Sequence, residues 1–190
     1  MEVNSVTIFL MGRWNPKIFT PAWIRDKLFC LPDNIEIQGL VNFDELDFAF
    51  RHNDITIFPR ASSVEIKTNT NTKEQFTILS EITLRVLEVL PQTPIKAVGV
   101  NFKYEVKKTD SLSLVKYLNS LVPSYKNLTL SQVKLEMVLN GHKINIISEM
   151  AEESFNIIFN FHHSKISVLP PDFVNKYILK AQNILYDGDK

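Results

Sequence analysis

One pattern occurs twice in this chain, and it constrains the fold more than any single motif. Trp23-Ile24-Arg25-Asp26-Lys27-Leu28-Phe29-Cys30-Leu31-Pro32 can be laid over Leu114-Val115-Lys116-Tyr117-Leu118-Asn119-Ser120-Leu121-Val122-Pro123, 91 positions further on. In both places a strand-like run comes just before, and strands and an amphipathic helix follow. The match is one of pattern more than of identity. It predicts two copies of one supersecondary unit, 1–92 and 93–190. A chain of 190 residues is long enough for two such halves to share a core.

Within the first half, Val6, Ile8 and Leu10 alternate with Thr7, Phe9 and Met11 as a strand, which Pro16 ends. Thr20-Pro21 opens a short helix, with threonine as N-cap and proline at the first helical position. Ile35, Ile37, Gly39, Val41 and Phe43 share one strand face, and Leu46, Phe48 and Phe50 keep the same spacing. Arg51-His52-Asn53-Asp54 is a turn composition before Ile55 and Ile57. Val64 and Ile66 mark a further strand. Thr72 with Gln75 forms a capping box ahead of the helical stripe Phe76, Leu79, Ile82, Val86, Leu87 and Leu90.

The second half repeats this order. Val98, Val100, Phe102, Tyr104 and Val106 form a half-exposed strand, and Asp110 is placed to cap a helix through Leu114, Leu118 and Leu121. Val133 to Leu139 leads into Asn140-Gly141, the pair best suited to a type I′ turn, and Ile144 and Ile146 return. Phe155, Ile157, Phe159 and Phe161 line another strand. Phe173, Val174, Tyr177, Ile178, Ala181, Ile184 and Leu185 make an amphipathic helix. Consecutive antiparallel strands with helices on one face predict an α+β fold of two similar β-α-β-β-β(β)-α units. By the order of its elements alone this resembles the duplicated saddle of TATA-box-binding-protein-like folds. No sequence motif of that family is present, and likeness of fold does not transfer function.

Composition narrows the function classes. Lysine plus arginine and aspartate plus glutamate number 21 each, so no bulk charge recruits nucleic acid or anionic lipid. No apolar run approaches the roughly 20 residues needed to cross a bilayer, and the N-terminus lacks the pattern of a signal peptide. Cys30 is the only cysteine. With no disulfide within the chain a reducing, cytoplasmic setting is expected, and the apolar neighbours Phe29 and Leu31 predict a buried, inert thiol.

No motif singles out a chemistry. His162-His163 would point to opposite faces of a strand, so both rings would not reach one metal. His52 and His142 sit at predicted turns without partners at ligand spacing. Asp44, Glu45 and Asp47 form an acidic cluster that reads as a solvated strand edge rather than a cation site or an acid–base pair. No glycine-rich phosphate loop and no nucleophile elbow is present. No cofactor and no metal are expected.

Two surfaces are singled out for binding. Arg13, Trp14, Lys17 and Phe19 put aromatics and cations into one loop, the residue types of protein-interface hot spots; the competing reading is that Trp14, Ile18 and Phe19 fold down over the sheet as a lid. Lys103, Lys107 and Lys108 are the best cations for nucleic-acid contact. The expected function is a non-catalytic protein-interaction or assembly subunit, acting with a protein partner or as a homo-oligomer. The expected setting is a larger bacterial or phage-encoded complex; the abundance of Asn, Ile and Lys suggests an AT-rich coding sequence and says nothing of mechanism. A nucleic-acid-binding module on an open sheet face is the first alternative, and a hydrolase or nuclease without a recognisable motif the second.

Overall fold

The computed structural model describes residues 3–42, 47–121, 131–139, 142–163 and 169–187. The chain is α+β, with nine strands in one antiparallel sheet and four helices. Strand β1 (Ser5–Gly12) is followed by a 3-10 turn at Pro16–Ile18 and by α1 (Pro21–Trp23), which continues as a π-helical turn over Ile24–Phe29. Then come β2 (Gln38–Asn42), β3 (Asp47–His52), β4 (Ile55–Pro59), β5 (Ser63–Thr68) and α2 (Lys73–Val89). The remainder is β6 (Ile95–Lys107), α3 (Ser113–Ser120), β7 (Gln132–Leu139), β8 (His142–Met150), β9 (Ser154–His163) and α4 (Phe173–Asp187).

The strand order is β2-β3-β4-β5-β1-β6-β9-β8-β7. β1 and β6 pair at the centre, and on each side the last strand of that half lies next to its first. Earlier strands then step outwards to β2 on one edge and β7 on the other. The two stretches of similar pattern occupy corresponding places, since each links a central strand to an edge strand.

Alternation along the strands separates two faces. Across the helix-covered face runs a row made by Ile57, Ile66, Ile8, Val100, Phe161 and Ile144, one from each of six adjacent strands, and all are 0% exposed. One residue along, on the opposite face, lies the row Thr56, Lys67, Thr7, Asn101, Asn160 and Asn145. Its three asparagines join in a ladder: Asn160 Nδ2 donates to Asn101 Oδ1, and Asn145 Nδ2 donates to Asn160 Oδ1 at 3.5 Å.

Helices from both halves close the covered face and meet each other. All seven apolar residues of the predicted α4 stripe are buried. Ser80 of α2 sits in that interface. Its Oγ accepts from the backbone N–H of Val174 at 3.2 Å, which satisfies a donor that the first turn of α4 cannot pair internally. The same hydroxyl donates to Phe76 O at 3.0 Å. At the mouth of the interface Asn175 Nδ2 donates to Thr77 Oγ1 at 3.1 Å and to Asp172 Oδ1 at 2.6 Å.

Four local expectations need correction. The strand predicted from Ile35 begins only at Gln38; Ile35 N bonds back to Pro32 O at 3.0 Å, so the chain is still turning there. Asp110 does not cap α3. Its Oδ2 accepts from Lys107 N at 3.2 Å, closing the turn after β6, and Leu112 stands at the N-cap without a side-chain bond. Thr72 caps α2 by accepting from Gln75 N at 3.2 Å, but Gln75 Oε1 is buried without a partner among the described residues, so the box is half made. Cys30 is exposed, because it ends the π-helical turn in a left-handed conformation (φ 51°) that turns its side chain outwards against Arg85. The Asn140-Gly141 turn lies outside the described residues; the flanking pair Leu139 and His142 is in register.

The two rows predict different sensitivities. Phe161→Ala removes a ring stacked 4.9 Å from Tyr177 and should cost about 3–5 kcal/mol in denaturant unfolding. Asn160→Ala on the solvent face should cost about 1 kcal/mol or less. Equal losses from the two substitutions would contradict the assignment of faces.

Candidate functional site

The aromatics of the loop after β1 fold inwards. Trp14 is 7% exposed and Phe19 3%, and Trp14 Nε1 donates to Leu10 O at 2.9 Å. Phe19 meets Trp14 and Trp23 edge-on, with centroids at 6.2 and 5.1 Å. Arg13 and Lys17 remain exposed, so the loop offers a partner its two cations but almost none of its aromatic area.

The lysines singled out from the sequence are divided. Lys103 and Lys107 lie on the open face, on either side of Glu105 along β6. Lys108 lies past the end of the strand; its Nζ donates to Glu152 O at 3.0 Å and stands 5.7 Å from the centre of the Phe155 ring. Two other open-face cations are held locally: Lys143 pairs with Glu136 at 2.7 Å, and Lys67 stands 4.7 Å over the Phe58 ring. Glu65, Glu105, Glu136 and Glu149 are interleaved with them, giving a mixed surface in place of a basic one.

The histidines do not converge. His52 meets Phe29 edge-on at 5.1 Å, while His162 is exposed and His163 buried, on opposite faces of β9. His163 stacks on Tyr177 at 5.1 Å. His142 opens β8, and Asp47 opens β3. Asp44 and Glu45 lie outside the described residues. Among the described residues, no three His, Cys, Asp or Glu side chains are placed to hold a metal ion, and no helix is long and apolar enough to cross a membrane.

Two hollows stand out among the described residues. A polar cleft of about 620 Å³ opens between Asn4, Glu105, Lys107, Asp110, Ser111 and Tyr186. An apolar groove of about 320 Å³ runs between α3 and the β7–β8 hairpin, lined by Leu114, Tyr117, Leu135, Met137 and Ile146 with Ile184 of α4. The polar cleft brings Ser111 into one lining with Glu105, Lys107 and Asp110.

The sheet edges are more distinctive. β7 carries Lys134 and Glu136 on its exposed face, charges that resist pairing with a foreign strand. β2 reads Gln38-Gly39-Leu40-Val41-Asn42, with no charge and no proline. Leu40 is 39% exposed and Val41 48%; Phe48, opposite Val41 on β3, is 59% exposed. Among the described residues no strand pairs with the outer side of β2. Asn53 (φ 50°) and Asp54 make a two-residue turn, so His52 and Ile55 form the closing hydrogen-bonded pair. Alternation then directs the amides of Asp47, Ala49 and Arg51 towards β2, where Asn42, Leu40 and Gln38 answer them. Gly39 and Val41 are left with N–H and C=O pointing away from the sheet.

The sequence marked Gly39, Val41 and Phe48 as strand residues but gave no sign that this strand ends the sheet. In comparisons with known proteins, no family model and no curated protein matches the chain.

Two side-chain environments can be read directly in solution. Burial raises the Tyr104 hydroxyl well above the ordinary tyrosine range, with Tyr186 adding to the effect, and burial pushes Tyr177 up to about 12. Both groups stay neutral in the fold at a pH where the unfolded chain ionises. Their contribution to stability is therefore complete below pH 10.0 and is lost as pH rises from there through about 12. Phenolate absorbance should show two of the five tyrosines ionising late, together with loss of the fold; five tyrosines titrating together near 10 would contradict it. Cys30 in the native protein should react with a thiol reagent about as fast as in the unfolded chain, and strong protection would contradict its exposure.

Proposed function

We propose that this protein is a non-catalytic interaction or assembly subunit whose working surface is the β2 edge of its sheet. The observation that carries the reading is an uncharged, proline-free edge strand with outward-pointing amides, flanked by exposed Leu40, Val41 and Phe48. Natural sheets usually guard such an edge with charge, as β7 does here. An extended segment of a partner added to β2 would gain backbone hydrogen bonds at Gly39 and Val41 and apolar contact on both faces. A cytoplasmic setting, within a larger bacterial or phage-encoded complex, fits a chain whose lone thiol is exposed and forms no bridge within it. The outward stepping of strands from the β1–β6 pair supports descent from a doubled unit of the saddle kind, with one strand fewer in the second half among the described residues.

A nucleic-acid-binding module on the open face is the second reading. Lys67, Lys103 and Lys107 share that face and favour it, while the four interleaved glutamates cancel most of the field.

Val41→Lys should abolish association of the chain with its protein partner while moving the thermal midpoint by no more than a few degrees. Val138→Lys, at the guarded edge, should leave association intact. Recovery of the tagged protein and each variant from its own host, followed by native mass measurement, decides the matter. A bare monomer with nothing bound, or equal loss in both variants, would contradict the assignment.

A further inference from the structure

Resting on that reading, we infer that the occupant of the β2 edge is a second copy of this chain, paired antiparallel through a two-fold axis at Leu40. The strand is suited to meet itself. Antiparallel pairing about Leu40 sets Gly39 of each copy opposite Val41 of the other, and these are the two residues whose amides and carbonyls face outwards. Each Gly39–Val41 pair exchanges two hydrogen bonds, and the axis generates the second pair, so four bonds form without disturbing the β2–β3 ladder. A centre between residues would set an outward donor opposite an inward-turned residue, and a centre at Gly39 or Val41 would pair the other outward residue with position 37 or 43, beyond the Gln38–Asn42 span of β2.

The side chains fit the same register. On the helix-covered side, Val41 of one copy comes beside Gly39 of the other, where a Cβ would meet nothing within 4 Å, and Phe50 and Phe48 flank the contact in each copy. On the open side Leu40 meets its own copy between the two Ala49 positions. No like charges oppose each other, because the strand has none. Arg51 of one copy falls in the same cross-strand row as position 47, an aspartate, of the other, twice over by symmetry. Five residues a side bury less than the ~1,200 Å² of a standard interface, so the dimer is a weak, concentration-dependent one.

The geometry gives a register-specific test. Leu40 and its copy form a non-hydrogen-bonded pair, whose Cα atoms approach to about 4.5 Å, within the span a disulfide bridges. In full-length protein carrying Cys30→Ser, Leu40→Cys should form a covalent dimer under mild oxidation at concentrations where sedimentation shows the dimer, and Gln38→Cys, which faces Asn42 of the other copy, should not. Sedimentation of the otherwise native chain should show monomer and dimer in a concentration-dependent ratio. Val41→Pro should remove the dimer but keep the fold, since the lost N–H points out of the sheet; its circular dichroism should match that of the parent chain. Monomer throughout, or crosslinking as strong at position 38 as at 40, would overturn the self-pairing. If the chain is monomeric yet Val41→Lys still abolishes binding of a different protein, self-pairing fails and the interaction reading stands; if Val41→Lys changes neither, both fail.

Discussion

The structure depends on the register of one sheet. Six fully buried apolar side chains, from Ile57 to Ile144, lie in a row across the middle of the molecule, and the next row on the other face is polar throughout. Because strand side chains alternate, a slip of one residue in any strand would carry Lys67, Asn101 or Asn160 into the core and a large apolar group into water. Burying an amide or ammonium without a partner costs several kcal/mol, so the alternatives are closed strand by strand. The asparagine ladder adds to this on the open side, since Asn101, Asn160 and Asn145 bond only when β6, β9 and β8 are aligned as they are.

Closure of the covered face follows from the same alignment. The helices crossing it are short of partners at their ends, and contacts between the halves supply some of them. Ser80 gives Val174 its acceptor, and Asn175 bonds to Thr77, so α2 and α4 fix each other's position from opposite ends of the sequence. The β1–β6 pairing does the same for the strands. Neither half therefore completes its own layer.

The periodic elements were legible in the sequence because their chemistry is local. Alternation in Val98–Val106 and the stripe of α4 follow directly from which side chains must be buried. Features set by competition between neighbours were not. Asp110 accepts from Lys107 N in the turn after β6 and stands two residues ahead of Leu112, the N-cap of α3. Cys30 looked buried between Phe29 and Leu31, but a left-handed backbone at the helix end reversed its direction. The inward fold of Trp14 depends on Leu10 O and on Phe19, and composition could not separate it from an exposed hot spot. The bareness of β2 was present in its five letters, but its position at the edge is a property of strand order and is not encoded nearby.

The functional reading rests on two outward amides. Hydrogen exchange measured residue by residue, at several protein concentrations, tests it most directly. In β2 the account predicts that Leu40 is protected at every concentration, while Gly39 and Val41 exchange fast when dilute and slow down together as the protein is concentrated or its partner added. Exchange at Gly39 and Val41 that stays fast under all those conditions would contradict it.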